Sequence, residues 1–293
     1  MLAPALGYAR RGLAVLPVWW PLPDGRCACA IGTGRQDCPS PAKHPIAALA
    51  RSGVRDASRD ARVIVAWWSF APLANVAVAT GPVSGLVVLD LDRGGDASLR
   101  RLEAEHGALP RTVCCITGSG GSHLWFHSRE PGLRNRVRIA PGLDVRAEHG
   151  YVLAPPSLHA SGRRYRWSKQ AGLGRTPIAA LPAWLAALLR PPPPAEPARG
   201  QRAPCDARGA ARLLARLADR VQQAPPGTRN DTLNRCAFTA GRLLAAGLLR
   251  EAEVRDELSL AARAAGLTTF ETERTIASGL AAGKQQPWQA DAH

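Results

Sequence analysis

The feature that most constrains the fold is a run of prolines late in the chain. The segment PPPPAEPARGQRAP occupies residues 191–204 of 293. Consecutive prolines lack backbone N–H donors and have a fixed φ, so they continue neither a helix nor a central strand and tend to form an extended spacer. The run therefore predicts a domain at 1–190, a linker at 191–204 and a smaller domain at 205–293.

The sequence patterns differ on the two sides of this run. Upstream, short β-like runs alternate with Gly, Pro and Ser turns and a few helical segments, which indicates an α+β domain with a mixed or antiparallel sheet flanked by helices. The β-like runs are 75–79, 86–92, 112–116, 123–127, 143–147, 151–154 and 164–167. Downstream, apolar residues recur at helical spacing over 210–223, 230–246, 251–265 and 271–282, which predicts a small all-helical domain.

The charge of the chain favours a polyanionic partner. The formal net charge is +15, and residues 129–169 hold nine basic and three acidic side chains. An Arg-rich composition also arises from a GC-rich coding sequence, but clustering favours a binding surface. No apolar run is long enough to span a bilayer, and an odd number of cysteines suits a reducing compartment. We therefore expect a cytoplasmic protein without a membrane partner.

Two aspartates occupy alternate positions in a run of apolar residues. In GLVVLDLDRGG, residues 85–95, Asp90 and Asp92 share one face if the run is a strand. Paired carboxylates repel each other and are costly to desolvate unless a cation or water receives them. The pattern indicates either a metal site at a strand end or two solvated turn residues.

A cysteine-rich segment, CACAIGTGRQDCPSPAKHP at residues 27–45, resembles a metal-binding insert. Cys27, Cys29, Cys38 and His44 form a ligand set that tetrahedral zinc accepts. The spacing departs from the usual pair of CxxC knuckles, so ordinary reduced cysteines in a loop are the alternative. Lys43 and His44 could instead face a phosphate.

Two further segments carry polar side chains on β-like runs. In TGSGGSHLWFH, residues 117–127, a Gly-rich turn leaves backbone N–H groups for phosphate oxygens, and His123 begins the next run. An ordinary hairpin with a structural histidine is the alternative. In GLDVRAEHG, Asp144, Arg146 and Glu148 alternate and would share a face, as they would also on a solvated edge strand.

Together these segments resemble the archaeo-eukaryotic primase superfamily, and most closely its bifunctional DNA primase/polymerase (Prim-Pol) branch, found in plasmids, phages and bacterial integrated elements. The resemblance lies in an Asp-x-Asp strand, a Ser-His pair after a Gly-rich turn, and a third strand with Asp followed by Arg. ALGYARRGLAVLPV, the cysteine-rich insert and the 142–167 block follow the family order over roughly residues 4–185. The tail resembles a helical segment often appended to such primases.

The resemblance implies template-directed nucleotidyl transfer from ribo- or deoxynucleoside triphosphates on single-stranded DNA. Mg²⁺ or Mn²⁺ would be held by Asp90, Asp92 and Asp144, in a two-metal mechanism. The incoming triphosphate would contact Ser122, His123, Arg146 and Lys43. A structural Zn²⁺ would occupy Cys27, Cys29, Cys38 and His44. The template would be held by Arg134, Arg136, Arg138, Arg163, Arg164 and Arg166.

The resemblance also has departures and rivals. The family segment that often reads GKHP reads AKHP here, with Ala42 before Lys43. The chain has no GxxxxGK[ST] phosphate loop, since GLAAGKQQP lacks its spacing, so a separate replicative helicase is the expected partner. A metal-dependent nuclease and a catalytically silent DNA-binding replication protein are the alternative functions.

Overall fold

The structure, a computed structural model, describes residues 1–33, 38–191, 206–225 and 228–287. Its internal contacts divide the chain into two units, Met1–Pro193 and Pro194–His293. Apart from Pro191, the predicted linker at 191–204 lies outside the described residues.

The first unit contains strands and helices. The strands are β1 (Val15–Val18), β2 (Asn75–Ala79), β3 (Leu86–Leu91), β4 (Val113–Ile116), β5 (Ser122–His127), β6 (Arg136–Ala140), β7 (Leu143–Arg146), β8 (Tyr151–Leu153), β9 (Arg166–Trp167) and β10 (Ala179–Ala180). The helices are α1 (Leu2–Ala9), α2 (Cys29–Thr33), α3 (Ala61–Phe70), α4 (Asp96–His106) and α5 (Ala183–Leu189), with a 3₁₀ turn at Gly53–Asp56.

Two sheets form the core of this unit. The smaller sheet has the order β1-β2-β8 and is antiparallel. The larger has the order β6-β7-β3-β5-β4-β9, all antiparallel, and β10 adds to β5 in parallel. The predicted α+β class with a mixed sheet is therefore confirmed. The predicted run at 86–92 ends one residue earlier, at Leu91, and that at 164–167 is a strand only over its last two residues.

The central strand β3 is covered on both faces, which explains its continuous apolar sequence. Leu86 and Val88 belong to a cluster with residues of α1, α3 and the smaller sheet. Val87, Leu89 and Leu91 belong to a second cluster with residues of α4 and α5. Asp90 is the strand's exception, since every other residue of β3 is buried.

The second unit is helical, as the sequence predicts. Its helices are α6 (Ala207–Gln222), α7 (Arg229–Ala245), α8 (Glu251–Ala264) and α9 (Thr269–Lys284). Helices α7 and α9 pack closely at Gly241, Gly279 and Gly283, where a Cβ atom would overlap the backbone of the facing helix. Gly279 and Gly283 belong to GLAAGKQQP, so these glycines serve helix packing. None of the described helices is long and apolar enough to cross a membrane.

Candidate active site

A row of polar side chains crosses the larger sheet near the end of β3. Asp90 lies directly opposite His123 of β5 on one side and Asp144 of β7 on the other. Opposed residues of antiparallel strands share a face, with Cα atoms roughly 4.5–5.5 Å apart. The sheet therefore brings together three residues that come from separate motifs of the sequence.

Asp92 follows β3 at the same end of the sheet. Its backbone N–H donates to the carbonyl oxygen of Gly142 (2.9 Å), and its side chain is exposed. Asp90 is more enclosed, with a side chain 24% exposed. The two aspartates line one cavity but differ in burial, so only Asp92 resembles the solvated turn residue that the sequence left open.

The electrostatics of Asp90 suit a cation. Burial raises the pKa of this carboxyl to about 6; Arg146 and Lys43 oppose the shift, whereas Asp92 and Asp144 add to it. A desolvated carboxylate with two acidic neighbours is the donor set that Mg²⁺ and Mn²⁺ prefer, because hard oxygen ligands bind these ions. Asp90 and Asp92, which line the cavity, could therefore supply oxygen ligands to a divalent ion.

His123 faces Asp90 as a neutral side chain. Burial lowers the pKa of His123 to about 3, and the charges of Arg146 and Lys43 act in the same direction. The imidazole Nε2 lies 3.5 Å from Asp90 Oδ1, a contact that is no ion pair while the ring is neutral. Its Nδ1 is buried and has no hydrogen-bond partner among the described residues.

Asp144 is held beside the cavity by two donors. Its Oδ1 accepts a hydrogen bond from the backbone N–H of Arg138, and its Oδ2 accepts one from Arg146 Nη2, both at 2.8 Å. Asp144 is not among the residues that line the cavity. Its direct contribution is to orient Arg146 and to add negative charge next to Asp90.

The cavity has a volume of about 380 Å³ and combines predicted with unpredicted residues. The predicted ones are Lys43, His44, Asp90, Asp92, His123 and Arg146. The polar and aromatic residues that sequence reasoning missed are Ser40, Thr117, Ser119, Asn135, His149, Tyr151 and Tyr165. Thr117 and Ser119 belong to the Gly-rich turn, so their hydroxyls could have been considered there.

The Gly-rich turn is shaped by packing. A Cβ atom on Gly121 would overlap the carbonyl oxygen of Leu91, and one on Gly118 would overlap the side chain of His159. The N–H groups of Thr117 and Gly120 donate to carbonyls within the turn. These two donors are therefore engaged, and the glycines allow the turn to approach the end of β3.

Ser122 does not lie where the motif suggested. It pairs with Leu91 and so faces the side of the sheet opposite to His123, because successive strand residues alternate faces. The hydroxyls on the cavity side belong to Thr117 and Ser119, whose oxygens are 2.9 Å apart. The structure thus separates Ser122 from the nucleotide contact expected for it.

The cysteine-rich insert forms a compact ligand cluster. The ligand atoms of Cys27, Cys29, Cys38 and His44 all lie within 4.8 Å of one another. His44 Nε2 is 3.4 Å from Cys27 Sγ and 3.3 Å from Cys38 Sγ. Tetrahedral zinc, with bonds of about 2.3 Å to sulfur and 2.0–2.1 Å to nitrogen, places these atoms roughly 3.5 Å apart. The cluster could therefore hold a structural zinc ion.

The charges within the cluster also call for a cation. Burial raises the pKa of the Cys29 thiol to about 12, and the neighbouring Cys27 and Cys38 add to the shift. Without a positive ion, three thiolates would not form together here, whereas zinc stabilises them. His44 Nε2 faces the sulfurs, which favours the metal role for this residue over the phosphate role.

Hydrogen bonds connect the cysteine-rich insert to residues around the cavity. Lys43 and His44 line it, and Tyr151 Oη donates to the carbonyl oxygen of Lys43 (2.9 Å). The buried Asn75 side chain donates to the carbonyl oxygens of Trp19 (3.3 Å) and Ala42 (3.5 Å). These bonds fix the exposed Lys43 at the edge of the site.

The predicted DNA-binding arginines form two groups. Arg134, Arg136 and Arg138 lie in or beside β6, at one edge of the larger sheet. The second group, Arg163, Arg164 and Arg166, lies in or beside β9, at the opposite edge. All six side chains are exposed. The basic segment therefore lies at two edges of the larger sheet, on either side of the polar row.

One comparison with known proteins identifies the family of this chain. The model of the Prim-Pol family, described as bifunctional DNA primase/polymerase, N-terminal, matches residues 5–184. No curated protein matches the chain. The matched segment covers more than half of the chain and contains the polar row, the cavity and the cysteine cluster. The chain therefore belongs to the bifunctional DNA primase/polymerase (Prim-Pol) family.

Proposed function

We propose that this chain is a DNA primase/polymerase that transfers nucleotides from ribo- or deoxynucleoside triphosphates onto a growing strand, directed by single-stranded DNA. The observation that carries the proposal is the cavity that Asp90 and Asp92 share with Lys43 and Arg146. Carboxylates for metal ions and cations for a triphosphate are the two components that this reaction requires.

Asp90 and Asp92, with Asp144 beside them, would hold Mg²⁺ or Mn²⁺. Divalent ions held there would lower the pKa of the attacking 3′-hydroxyl and stabilise the leaving pyrophosphate. Asp144 also contributes indirectly. It accepts a hydrogen bond from Arg146, which holds the Arg146 guanidinium towards the cavity.

The remaining residues of the cavity suit the triphosphate. Arg146 is a forked donor and Lys43 a point charge, and both would neutralise phosphate oxygens. Neutral His123 can donate one hydrogen bond, and the hydroxyls of Thr117 and Ser119 supply others. Ser122 is left out of this set because it faces the other side of the sheet.

The flanking elements complete the proposal. Zinc held by the cysteine cluster would be structural and would keep Lys43 in place, because Lys43 directly precedes the ligand His44. The two arginine groups contact the phosphates of the template, since basic side chains on either side of an active site position a strand without reading its sequence. The separate helicase and the cytoplasmic location stay predictions.

The test is a synthesis assay. Single-stranded template is incubated with labelled ribo- or deoxynucleotides and Mg²⁺ or Mn²⁺, with and without primer. The wild type is compared with Asp90→Ala/Asp92→Ala. The control is Asp219→Ala/Asp256→Ala, which removes two exposed aspartates from α6 and α8 and changes the net charge equally.

We expect product from the wild type and the control, and none from Asp90→Ala/Asp92→Ala. Product without primer identifies a primase and its preferred sugar, whereas extension of a supplied primer alone identifies a polymerase. Degradation of the template would support the nuclease alternative. Binding of the template with neither reaction would support the silent DNA-binding protein, and either result would refute the proposal.

A further inference from the structure

A second cavity lies in the first unit and excludes the polar row. Its volume is about 890 Å³, within the roughly 300–1,000 Å³ that is typical of binding sites. Its lining comes from the segment before the cysteine cluster, which includes Trp20, and from the loop 158–164, which includes Arg164. The exposed Leu73 also contributes to the lining.

The lining of this cavity is largely apolar and includes one arginine. The lining includes Trp20, Leu73 and several prolines. The carboxylate of Asp24 is neutralised by Arg26, whose Nε lies 2.7 Å from it. Arg164 donates from Nη1 to the carbonyl oxygen of Pro156 (2.9 Å) and is exposed, so its other N–H groups can meet a ligand. An aromatic side chain and a guanidinium on the lining of one cavity suit a flat base with an attached phosphate.

The loop 158–164 connects this cavity to the candidate active site. Ser161 Oγ donates to the carbonyl oxygen of Gly118 (2.9 Å), in the Gly-rich turn of the site. The Arg163 guanidinium approaches the same turn, within 3.9 Å of where a Cβ on Gly120 would lie. Arg164, the next residue, lines the second cavity. Adjacent arginines therefore mark a path from the active site to this cavity.

Ring contacts order the Trp20 side chain, as a platform for a stacked base requires. Its ring lies against Trp19, with ring centroids 5.6 Å apart. Trp19 in turn contacts the His44 ring at 6.4 Å. An aromatic side chain that is already ordered loses little conformational entropy when a base stacks on it, which makes it an effective platform for single-stranded DNA.

We propose that this cavity takes up an unpaired base of single-stranded DNA, with the base against Trp20 and its phosphate near Arg164. That the strand is the template rests on the proposed function, and the cavity would then hold a template base displaced from the active site. The charge around the cavity is also favourable for DNA. The exposed arginines of the β9 edge lie next to the cavity and would neutralise the phosphate backbone of such a strand.

The test compares a labelled oligodeoxythymidine with an abasic strand of the same length by fluorescence anisotropy, without nucleotides or divalent ions. Their affinity ratio isolates the bases, because both carry the same phosphates. The cavity variants are Leu73→Glu and Arg164→Gln. The matched control is Val83→Glu, which places the same charge at an exposed apolar residue outside the cavity.

We expect the wild type and Val83→Glu to bind the thymidine strand at least about fivefold more tightly than the abasic strand, the lower end for one stacked base. Leu73→Glu should bring the ratio close to one. Arg164→Gln should weaken both strands, since it removes a phosphate contact. Circular dichroism of each variant verifies folding.

Two results would overturn the inference: a ratio near one in the wild type, or a ratio that survives Leu73→Glu in a folded protein. Failure of the proposed function is distinguishable, because binding is measured without synthesis. A chain that shows the ratio and makes no product keeps this inference and loses the proposed function. A chain that synthesises DNA without showing the ratio loses only this inference.

Discussion

The charge of Asp90 should cost the metal-free protein stability, and Asp90→Asn should remove that cost. The amide has nearly the same shape as the carboxylate and carries no charge. In the folded chain, burial raises the pKa of Asp90 from 3.8 to about 6. Because the unfolded chain keeps the lower value, folding at neutral pH forces a carboxylate into surroundings that favour its protonated form.

The magnitude follows from this shift. Each pKa unit corresponds to about 1.4 kcal/mol, so the rise from 3.8 to about 6 makes Asp90→Asn more stable by roughly 3 kcal/mol above pH 6. The sign is fixed by linkage: a raised carboxyl pKa favours the folded state at low pH and disfavours it as the pH rises through about 6. The advantage of the variant should shrink between about pH 6 and pH 4.

The assay is urea denaturation of both proteins at several pH values without divalent ions. Asp219→Asn, at an exposed site on α6, is the control and should change stability little at any pH. Saturating Mg²⁺ should stabilise the wild type more than Asp90→Asn, because the ion compensates the buried charge only where the carboxylate is present.

Two results would refute the reasoning. If Asp90→Asn is no more stable than the wild type at pH 8, the carboxylate is not desolvated as the structure indicates. The wild-type carboxyl is largely protonated in the folded state at pH 4, so its charge costs little stability there. If Asp90→Asn is more stable than the wild type by the same amount at pH 4 and at pH 8, the difference comes from packing or hydrogen bonding of the amide.

The remaining predictions concern the elements around the site. Gly121→Ala should push the turn away from the end of β3, and a displacement on the order of 1 Å should lower synthesis activity about 100-fold. The control is Gly7→Ala in α1, where a Cβ meets only ordinary contacts, and it should leave the activity unchanged. Tyr151→Phe removes the hydrogen bond to the Lys43 carbonyl and should raise KM for nucleotide by about 2- to 10-fold in steady-state kinetics, with Tm nearly unchanged; an unaltered KM would contradict the positioning of Lys43. Cys38→Ser should purify with less zinc by elemental analysis and with a lower Tm, and equal zinc content would exclude Cys38 as a ligand.

Much of the site could be predicted from local patterns. The strand period predicts the face on which Asp90 lies, and the β-like run after the Gly-rich turn predicts that His123 lies at the start of a strand. The row itself could not be predicted from spacing. Which residue of β7 lies opposite Asp90 depends on the register of strands more than fifty residues apart in sequence, and a shift of one residue would turn Asp144 to the other face. Ser122 illustrates this limit, since its neighbour in sequence lies in the site and it does not.

Glycine-rich and arginine-rich segments constrain the structure less than the strand period does, for a different reason. A glycine indicates that a side chain is not tolerated, but it does not say whether backbone, a helix or a phosphate occupies the space. Gly121 faces the end of β3, and Gly283 faces helix α7. Arg136 and Arg166 belong to one basic segment of the sequence yet lie at opposite edges of the larger sheet, because the chain between them passes through β8 of the smaller sheet before it reaches β9.

Ala42 shows how a departure from the family pattern leaves the site intact. Its φ of +59° is in the left-handed region, where a residue other than glycine costs about 1–2 kcal/mol. Its methyl group is fully buried, which returns about 0.8 kcal/mol. Burial therefore offsets only part of the cost. Hydrogen bonds from the Ala42 N–H to Cys27 Sγ and from Asn75 to the Ala42 carbonyl hold the conformation, so Lys43 reaches the cavity from AKHP as it would from GKHP.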